Sequence, residues 1–387
     1  MGSSLNQIYK YIDDKKEEML ACWKEIVNME SYSDEKEKVD LLAETLKAKF
    51  EKEGFDCRLI DVGDKNGKTL VGILGAERKG KPIIFSGHMD TVFPSGTFGE
   101  SPFKIEGEKA YGPGVLDMKG GIVISLFTVR ALNSINYNER PIKIIFSGDE
   151  EIGHKGSQGA EVILEEARGG LCGFNMETGL IDNSICVGRK GRIGYQINVK
   201  GVESHAGNDF TSGINAIEEM AHKIINLQKL TELESGTTVS VGTIKGGTVS
   251  NSIPSQCDIE VDIRFENIKE MENIKNKVGE VCNKTFLEGT TTEGKILTSM
   301  PAYETTADVL KFYVFCNEVS KKYGFDEMKS KRLGGSSDAS YITMAGTPVL
   351  CSFGVRGQWN HTTKEYALVD SLFDRAKLIS TIIMSLE

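Results

Sequence analysis

Pro82-Ile83-Ile84-Phe85-Ser86-Gly87-His88-Met89-Asp90 is the stretch from which the fold can be read. An apolar run of strand composition stops at Ser86-Gly87, and His88 and Asp90 follow at once. In an open α/β sheet, groups just past the carboxyl end of a strand face the ligand crevice. A histidine that binds a metal through one ring nitrogen usually has the other held by an acceptor, often a carboxylate. His-x-Asp thus offers a metal ligand and an orienting carboxylate together. Alone it reads more simply as a strand-end turn. What sets it apart is that later strands end in the same way.

Before this stretch, apolar positions at helical spacing predict a helix from about Gln7 to Met29. A second helix is expected from about Asp34 to Glu53, with Ser33 as its N-cap and Gly54 in the left-handed position after its end. Strands are expected at Phe55–Val62, Thr69–Leu74 and Pro82–Ser86. Ile122–Leu132 has strand-like β-branched content, but its length and its place after Gly120-Gly121 favour a buried helix. Pro141–Ser147 reads as a buried strand running into Gly148-Asp149-Glu150-Glu151. A helix near Ser157–Ala167 and a short strand ending at Asn175-Met176-Glu177 follow. Alternating strands and helices, with acids or histidine at the strand ends, predict a mainly parallel central sheet in an α/β fold.

The texture changes near Arg189-Lys190-Gly191-Arg192. In Cys257–Phe265, Ile259, Val261, Ile263 and Phe265 alternate with Asp258, Glu260, Asp262 and Arg264, the pattern of a half-exposed antiparallel strand. Strands at Gly194–Gly201 and Val239–Ile244, with helices at Asn215–Lys229 and about 268–284, complete an inserted α+β domain. We place it at residues 192–300, with 1–191 and 301–387 forming the larger domain. The returning segment is expected to carry a helix (about 308–323), a glycine-rich loop, a strand at Thr347–Phe353 and a final helix from about Ser371.

The 387 residues leave room for two or three domains and a large core, and an apolar content of 39% is that of a globular protein. A net charge of −10 argues against nucleic acid as a general partner. Eight scattered cysteines without a CxxC pair predict free thiols in a reducing, cytoplasmic setting. The start of the chain shows no secretory signal pattern, and the run from Ile122 to Val129 is too short to span a bilayer, so no membrane partner is expected.

The polar groups at the strand ends are His88, Asp90, Asp117, Glu150, Glu151 and Glu177, to which His361 is added from just after the last strand of the returning segment. Two histidines with several carboxylates suit zinc, and a carboxylate able to bridge suggests a paired-metal hydrolytic site. Of the adjacent pair Glu150-Glu151, one can ligate while the other accepts a proton from water. Each has a plainer reading when taken singly. Glu150-Glu151 is often a charge pair at a helix start, Asp117 a cap and Glu177 a turn residue. Their joint placement favours the metal site.

The motifs Ser86-Gly87-His88-Met89-Asp90-Thr91-Val92, Gly112-Pro113-Gly114-Val115-Leu116-Asp117-Met118-Lys119-Gly120, Gly148-Asp149-Glu150-Glu151-Ile152-Gly153, Met176-Glu177, Ser204-His205-Ala206-Gly207 and Asn360-His361 together resemble the M20 family of metallopeptidases. They run in family order over nearly the whole chain. The resemblance implies that Asp117 bridges two zinc ions, replaceable by cobalt or manganese. His88 and Glu177 would hold one ion, and Glu151 and His361 the other. Asp90 would orient His88, and Glu150 would be the general base. The insert would be a lid and homodimerisation domain. Its His205 would bind the scissile carbonyl oxygen; otherwise it is a histidine satisfied locally.

Arg264 and Asn251 match family positions that bind a substrate carboxylate, and Gly334-Gly335-Ser336-Ser337-Asp338 resembles the family's glycine-rich loop near substrate, with Gly335 and Ser336 as contacts. For Arg264 the alternative is an exposed strand charge balanced by Asp262 and Glu260. For the loop it is a helix cap by Ser337 or Asp338. His154 and His222 match no role and read as structural or exposed.

These implications lead to a zinc-dependent hydrolase acting on a small peptide at an amide bond beside a free carboxylate. An N-acyl-amino-acid deacylase with the same machinery is the near alternative, and a non-catalytic metal-binding assembly protein the distant one.

Overall fold

The structure is a computed structural model and describes residues 2–386. The chain divides into two compact units. The first holds the residues up to Gly188, Thr305–Arg332 and those from Asp338 on. The second holds Arg189–Glu304 and Leu333–Ser337.

The first unit is built on a six-stranded sheet in the spatial order Asp56–Ile60, Gly67–Leu74, Ile142–Gly148, Ile83–His88, Cys172–Asn175, Val349–Leu350. Ile83–His88 runs parallel to both neighbours, and Cys172–Asn175 runs parallel to Val349–Leu350. Gly67–Leu74 is antiparallel to both of its neighbours. Every residue of Ile83–His88 and of Cys172–Asn175 is buried. Parallel strands covered on both faces have to read as continuous apolar runs.

The register sets the site. His88 pairs with Ser147 and Ser86 with Asn175, so the three central strands end at one level. The buried helix Gly120–Asn133 begins against that end. A Cβ on Gly121 would lie 2.1 Å from the Met176 carbonyl oxygen, so only glycine permits this approach. The helix buries Ile122, Val123, Ile124, Leu126, Phe127 and Val129, each contributing about 1.5–3 kcal/mol.

Several expected elements differ. The helix expected over Gln7–Met29 is two helices, Gly2–Asp14 and Lys16–Asn28. The run Asp13-Asp14-Lys15-Lys16-Glu17-Glu18 has no apolar side chain to anchor a continuous stripe, and the chain breaks at Lys15. The next helix is Lys36–Glu51, and Ser33 does not cap it. The Ser33 hydroxyl donates instead to Asp90 Oδ2 at 2.7 Å. Gly54 takes its left-handed conformation, φ +91°. The strand expected at Thr347–Phe353 is a strand of the central sheet only over Val349–Leu350; Cys351 bridges to Cys186 instead, and Ser352 takes φ +72°. A small five-stranded sheet, Lys104–Glu106, Lys109–Tyr111, Tyr366–Leu368, Arg356–Gln358 and Gly179–Leu180, had no clear sequence signal, since its strands are two or three residues long.

The second unit carries a four-stranded antiparallel sheet in the order Thr238–Gly246, Gln256–Phe265, Gly191–Lys200, Thr291–Met300. The alternation along Gln256–Phe265 is realised, with Ile259, Val261, Ile263 and Phe265 in the core and Glu260 exposed. Helices Ala216–Gln228 and Ile268–Asn283 supply Met220, Leu227, Ile274 and Val278 to that core. Asn215 and Asn267 cap them through side-chain bonds.

Candidate metal centre

Four chain segments converge on the end of strand Ile83–His88, carrying Asp117, Glu151, Glu177 and His361. His88 Nε2 lies 3.2 Å from Asp117 Oδ1 and 3.8 Å from Glu177 Oε1. Asp117 is presented by the non-helical bend between Val115 and Lys119. Glu177 follows strand Cys172–Asn175, whose last pairing to Ser86 brings it beside His88. On the other side of Asp117, His361 Nε2 lies 3.3 Å from Asp117 Oδ2 and 3.2 Å from Glu151 Oε2. His361 sits in the loop joining strands Arg356–Gln358 and Tyr366–Leu368, at φ +61°. Two triads result, His88–Asp117–Glu177 and Asp117–Glu151–His361, and Asp117 is common to both. Within each, the possible ligand atoms lie within 4.8 Å of one another.

Asp90 holds this arrangement from beneath. Its carbonyl oxygen is 3.0 Å from His88 Nδ1, and its carboxylate Oδ1 is 3.5 Å away. The carboxylate is engaged elsewhere: it accepts the Glu150 amide at 3.2 Å, the Glu151 amide at 3.1 Å and the Ser33 hydroxyl. One buried acid thus touches the histidine and fixes the turn that carries both glutamates.

The electrostatics are lopsided. Asp90, Asp117, Glu150, Glu151 and Glu177 outnumber the two imidazoles. Burial pushes the Glu150 carboxyl well above its usual range, and Glu177 adds to the push. Burial raises Glu151 too, with Asp117 as the second cause. Burial works against a charged Asp117, yet the bonds to His361 and His88 outweigh it and hold its pKa down. Burial opposes a charged His88, but Asp117 and Asp90 overcome it and raise the imidazole well above its ordinary value. His361 is raised to about 11 by Asp117 and Glu151. Protons on the imidazoles offset part of the charge these acids can carry, and excess buried negative charge is expensive. Nitrogen and oxygen donors in these triads, with Glu151 Oε1 buried and unpartnered, fit divalent cations.

Other groups near the cluster were not anticipated. Asn360 Nδ2 donates to Asp117 Oδ2 at 3.0 Å. Glu365, fully buried, accepts the amides of Leu116 at 2.7 Å and Asp117 at 3.1 Å through Oε1. Each lies within four residues of His361, and Glu365 carried no signal of its own, since it precedes a strand of only three residues, Tyr366–Leu368. A cavity of about 370 Å³ opens beside the cluster, lined by Thr178, Ile181, Lys331, Trp359 and Asn360.

The remaining candidates belong to the second unit. His205 is exposed on the short strand Ser204–His205, which pairs with Ser252–Ile253. Its Nδ1 accepts the amides of Gly207 at 3.1 Å and Asn208 at 3.0 Å, which leaves the proton on Nε2. Asn251 accepts the Ala206 amide through its carbonyl, beside His205. Arg264 donates to Asp262 at 2.7 Å and to the Gly334 carbonyl at 3.4 Å, so it meets the loop carrying Gly335 and Ser336. His222 is exposed and stacked on Phe286. His154, by contrast, is buried within the first unit.

A profile of peptidase family M20/M25/M40 matches residues 84–385. Carboxypeptidase G2 of Pseudomonas sp. (strain RS-16) is 28% identical over 98% of this chain and 92% of its own length. Succinyl-diaminopimelate desuccinylase of Ehrlichia ruminantium is 26% identical over 85% of this chain and 88% of its own. Among solved structures, aminopeptidase PepT of Bacillus cereus superposes with a TM-score of 0.77 at 23% identity, over 95% of this chain and 98% of its own. An M20 family metallo-carboxypeptidase of Sulfolobus solfataricus gives 0.73 at 19% identity, over 95% and 98%.

Proposed function

This chain belongs to peptidase family M20/M25/M40 and is an enzyme of it; from that premise we propose a two-zinc hydrolase cleaving an amide bond beside a free carboxylate. The observation that carries the reading is the pair of triads joined at Asp117, with Glu150 one residue from a triad member. His88, Asp117 and Glu177 would hold one ion, and Asp117, Glu151 and His361 the other. Cobalt or manganese suits the same donors. Bound there, such ions supply Lewis acidity and make water a stronger acid.

The chain's own residues supply the rest. Glu150, with its raised pKa, takes a proton as the water oxygen bonds to the carbonyl carbon. It returns that proton to the amide nitrogen as the carbon–nitrogen bond breaks. Asp90 keeps Glu150 and Glu151 in place through their amides. His205 offers an Nε2–H to the carbonyl oxygen as negative charge develops on it. Arg264, with Asn251, Gly335 and Ser336, would hold the substrate's free carboxylate.

The substrate reading follows carboxypeptidase G2, which matches along nearly the whole chain. The desuccinylase relatives support the second reading, an N-acyl-amino-acid deacylase. Dipeptides, N-acylated amino acids and folyl-type glutamates, tried side by side with the zinc-loaded enzyme, separate the two, and turnover of any of them excludes a purely structural metal protein.

We also propose a homodimer formed through the second unit, residues 192–300 in our reading. The edge strand Thr238–Gly246 leaves Ile244 exposed, and Ile225 and Leu233 are exposed nearby in sequence. Sedimentation of the purified chain tests it. All eight cysteines are free, which supports the cytoplasm as its location. Among the described residues no helix is long and apolar enough to cross a membrane.

A further inference from the structure

Three residues beyond Glu151 the chain places a histidine that the proposed reaction does not use. His154 is 6% exposed, and both ring nitrogens face carboxylates: Nδ1 is 2.7 Å from Asp149 Oδ1 and Nε2 is 2.7 Å from Asp338 Oδ1. Asp149 and Asp338 are themselves 0% and 1% exposed. A neutral imidazole has a single N–H and could serve only one of these acceptors. Donating to both makes it an imidazolium shared by two anions. The surroundings agree, since the two acids raise this imidazole well above its ordinary value against the opposing effect of burial.

The backbone gives no reason for a histidine here. Gly153 and His154 both have positive φ, +64° and +53°, which reverses the chain after Glu150-Glu151-Ile152. That conformation costs a non-glycine residue roughly 1–2 kcal/mol. Sterics alone would place glycine at 154, so the side chain has to justify its presence. Gly159 points the same way: a Cβ there would lie 2.6 Å from His154 Nδ1 and 2.7 Å from Asp149 Oδ1. The start of helix Gly159–Ala167 is hollowed out to admit the pair.

We propose that His154, as an imidazolium held between Asp149 and Asp338, is a positioning residue that fixes the turn bearing Glu150 and Glu151. The turn is then clamped from two sides. Asp90 takes the amides of Glu150 and Glu151. His154 takes the carboxylate of Asp149 and ties it to the start of helix Ala339–Met344, where Asp338 also accepts the Ser147 hydroxyl at 2.7 Å. Asn66 supports Asp149 at 3.1 Å, and Ser157 bonds to it as well. Without the imidazolium, two buried carboxylates would oppose one another beside Glu150, and the turn would shift to separate them. The inference rests on Glu150 being the base.

The test uses the zinc-loaded full chain and measures kcat, KM, bound metal and Tm for His154→Gln, Asp338→Asn, the double variant and Glu150→Gln. His154→Gln is expected to lose at least tenfold in kcat, with KM within about threefold and metal content unchanged. Adding Asp338→Asn removes one of the opposed charges and should raise kcat at least threefold above that single variant. A kcat within twofold of wild type for folded His154→Gln, or no recovery in the double variant, overturns the proposal. If His154→Gln does not fold, Asp338→Asn decides alone: it must lower kcat at least fivefold with KM held, or the proposal fails. Active Glu150→Gln would refute the base assignment and this inference with it. Inactive Glu150→Gln beside an unaffected His154→Gln would refute this inference only.

Discussion

Glu365 Oε1 lies 3.1 Å from the backbone nitrogen of Asp117 and accepts its hydrogen bond. The same oxygen accepts the Leu116 amide, so a residue four positions past His361 fixes the peptide that presents the shared carboxylate. Glu365→Ala leaves two buried amides unpaired, at about 1–3 kcal/mol each. Partners that orient metal ligands are worth about 10–100-fold in affinity. Zinc affinity measured against a competing chelator should fall by that amount in Glu365→Ala and by much less in Glu365→Gln, which keeps an acceptor.

Glu365 also makes a pH prediction for the metal-free protein. Burial, with Asp117 second, raises its pKa to about 8 from 4.5. Between those values the folded state keeps a proton that the unfolded chain has released. Stability from this group is therefore present at low pH and lost as pH rises through that window. The Tm of chelated wild type should fall more steeply from pH 5 to 8 than that of Glu365→Gln. Parallel curves would contradict the assignment.

Metal binding should release protons. His88 and His361 both hold protons above the ordinary histidine range in the metal-free protein, and a ligating imidazole must give its proton up. Apparent zinc affinity should therefore fall by more than tenfold from pH 8 to pH 6, with proton release visible by calorimetry in buffers of different ionisation enthalpy. Chelation should abolish turnover, and zinc should restore it.

Much of this was legible in the sequence because the central strands announce themselves. Continuous apolar runs that stop at His88, Glu150 and Glu177 are what a buried parallel sheet requires, and the candidate metal ligands and base lie where the runs stop. The bonding of Asp90 was harder to read. Its spacing from His88 suggested a single partner, whereas its carboxylate also serves the Glu150 and Glu151 amides sixty residues on and Ser33 earlier in the chain. Such contacts join segments remote in sequence and leave no periodic trace. Ser33 looked like a helix cap because serine before a helical pattern usually is one; here the tertiary acceptor won. His154 looked idle because both of its partners, Asp149 and Asp338, are ordinary acids until the fold brings them to either side of one ring.

Asp90 should be sensitive to charge-neutral and truncating changes in different degrees. Asp90→Asn retains an acceptor for one of the two amides, and Asp90→Ala retains none. Activity should drop about 10–100-fold for Asp90→Ala, as for other groups that orient ligands, and less for Asp90→Asn. Equal loss in both would show that the carboxylate charge, and not its hydrogen bonding, is what matters.

Arg264 tests the substrate reading. Its guanidinium is bound to Asp262 and reaches the Gly334 carbonyl. A charge-assisted hydrogen bond to a substrate carboxylate is worth about 1.5–3 kcal/mol. Arg264→Ala should raise KM at least tenfold for substrates with a free carboxylate and leave their amidated analogues unchanged. The same KM shift for both would remove Arg264 from the carboxylate site.

The most direct measurement is single-turnover hydrolysis by Glu150→Gln, with bound metal quantified in the same sample. Glutamine keeps the shape of the side chain and cannot take a proton. The account predicts full metal content and a rate lower by at least a thousandfold. A variant that holds its metal and hydrolyses within tenfold of wild type would contradict it.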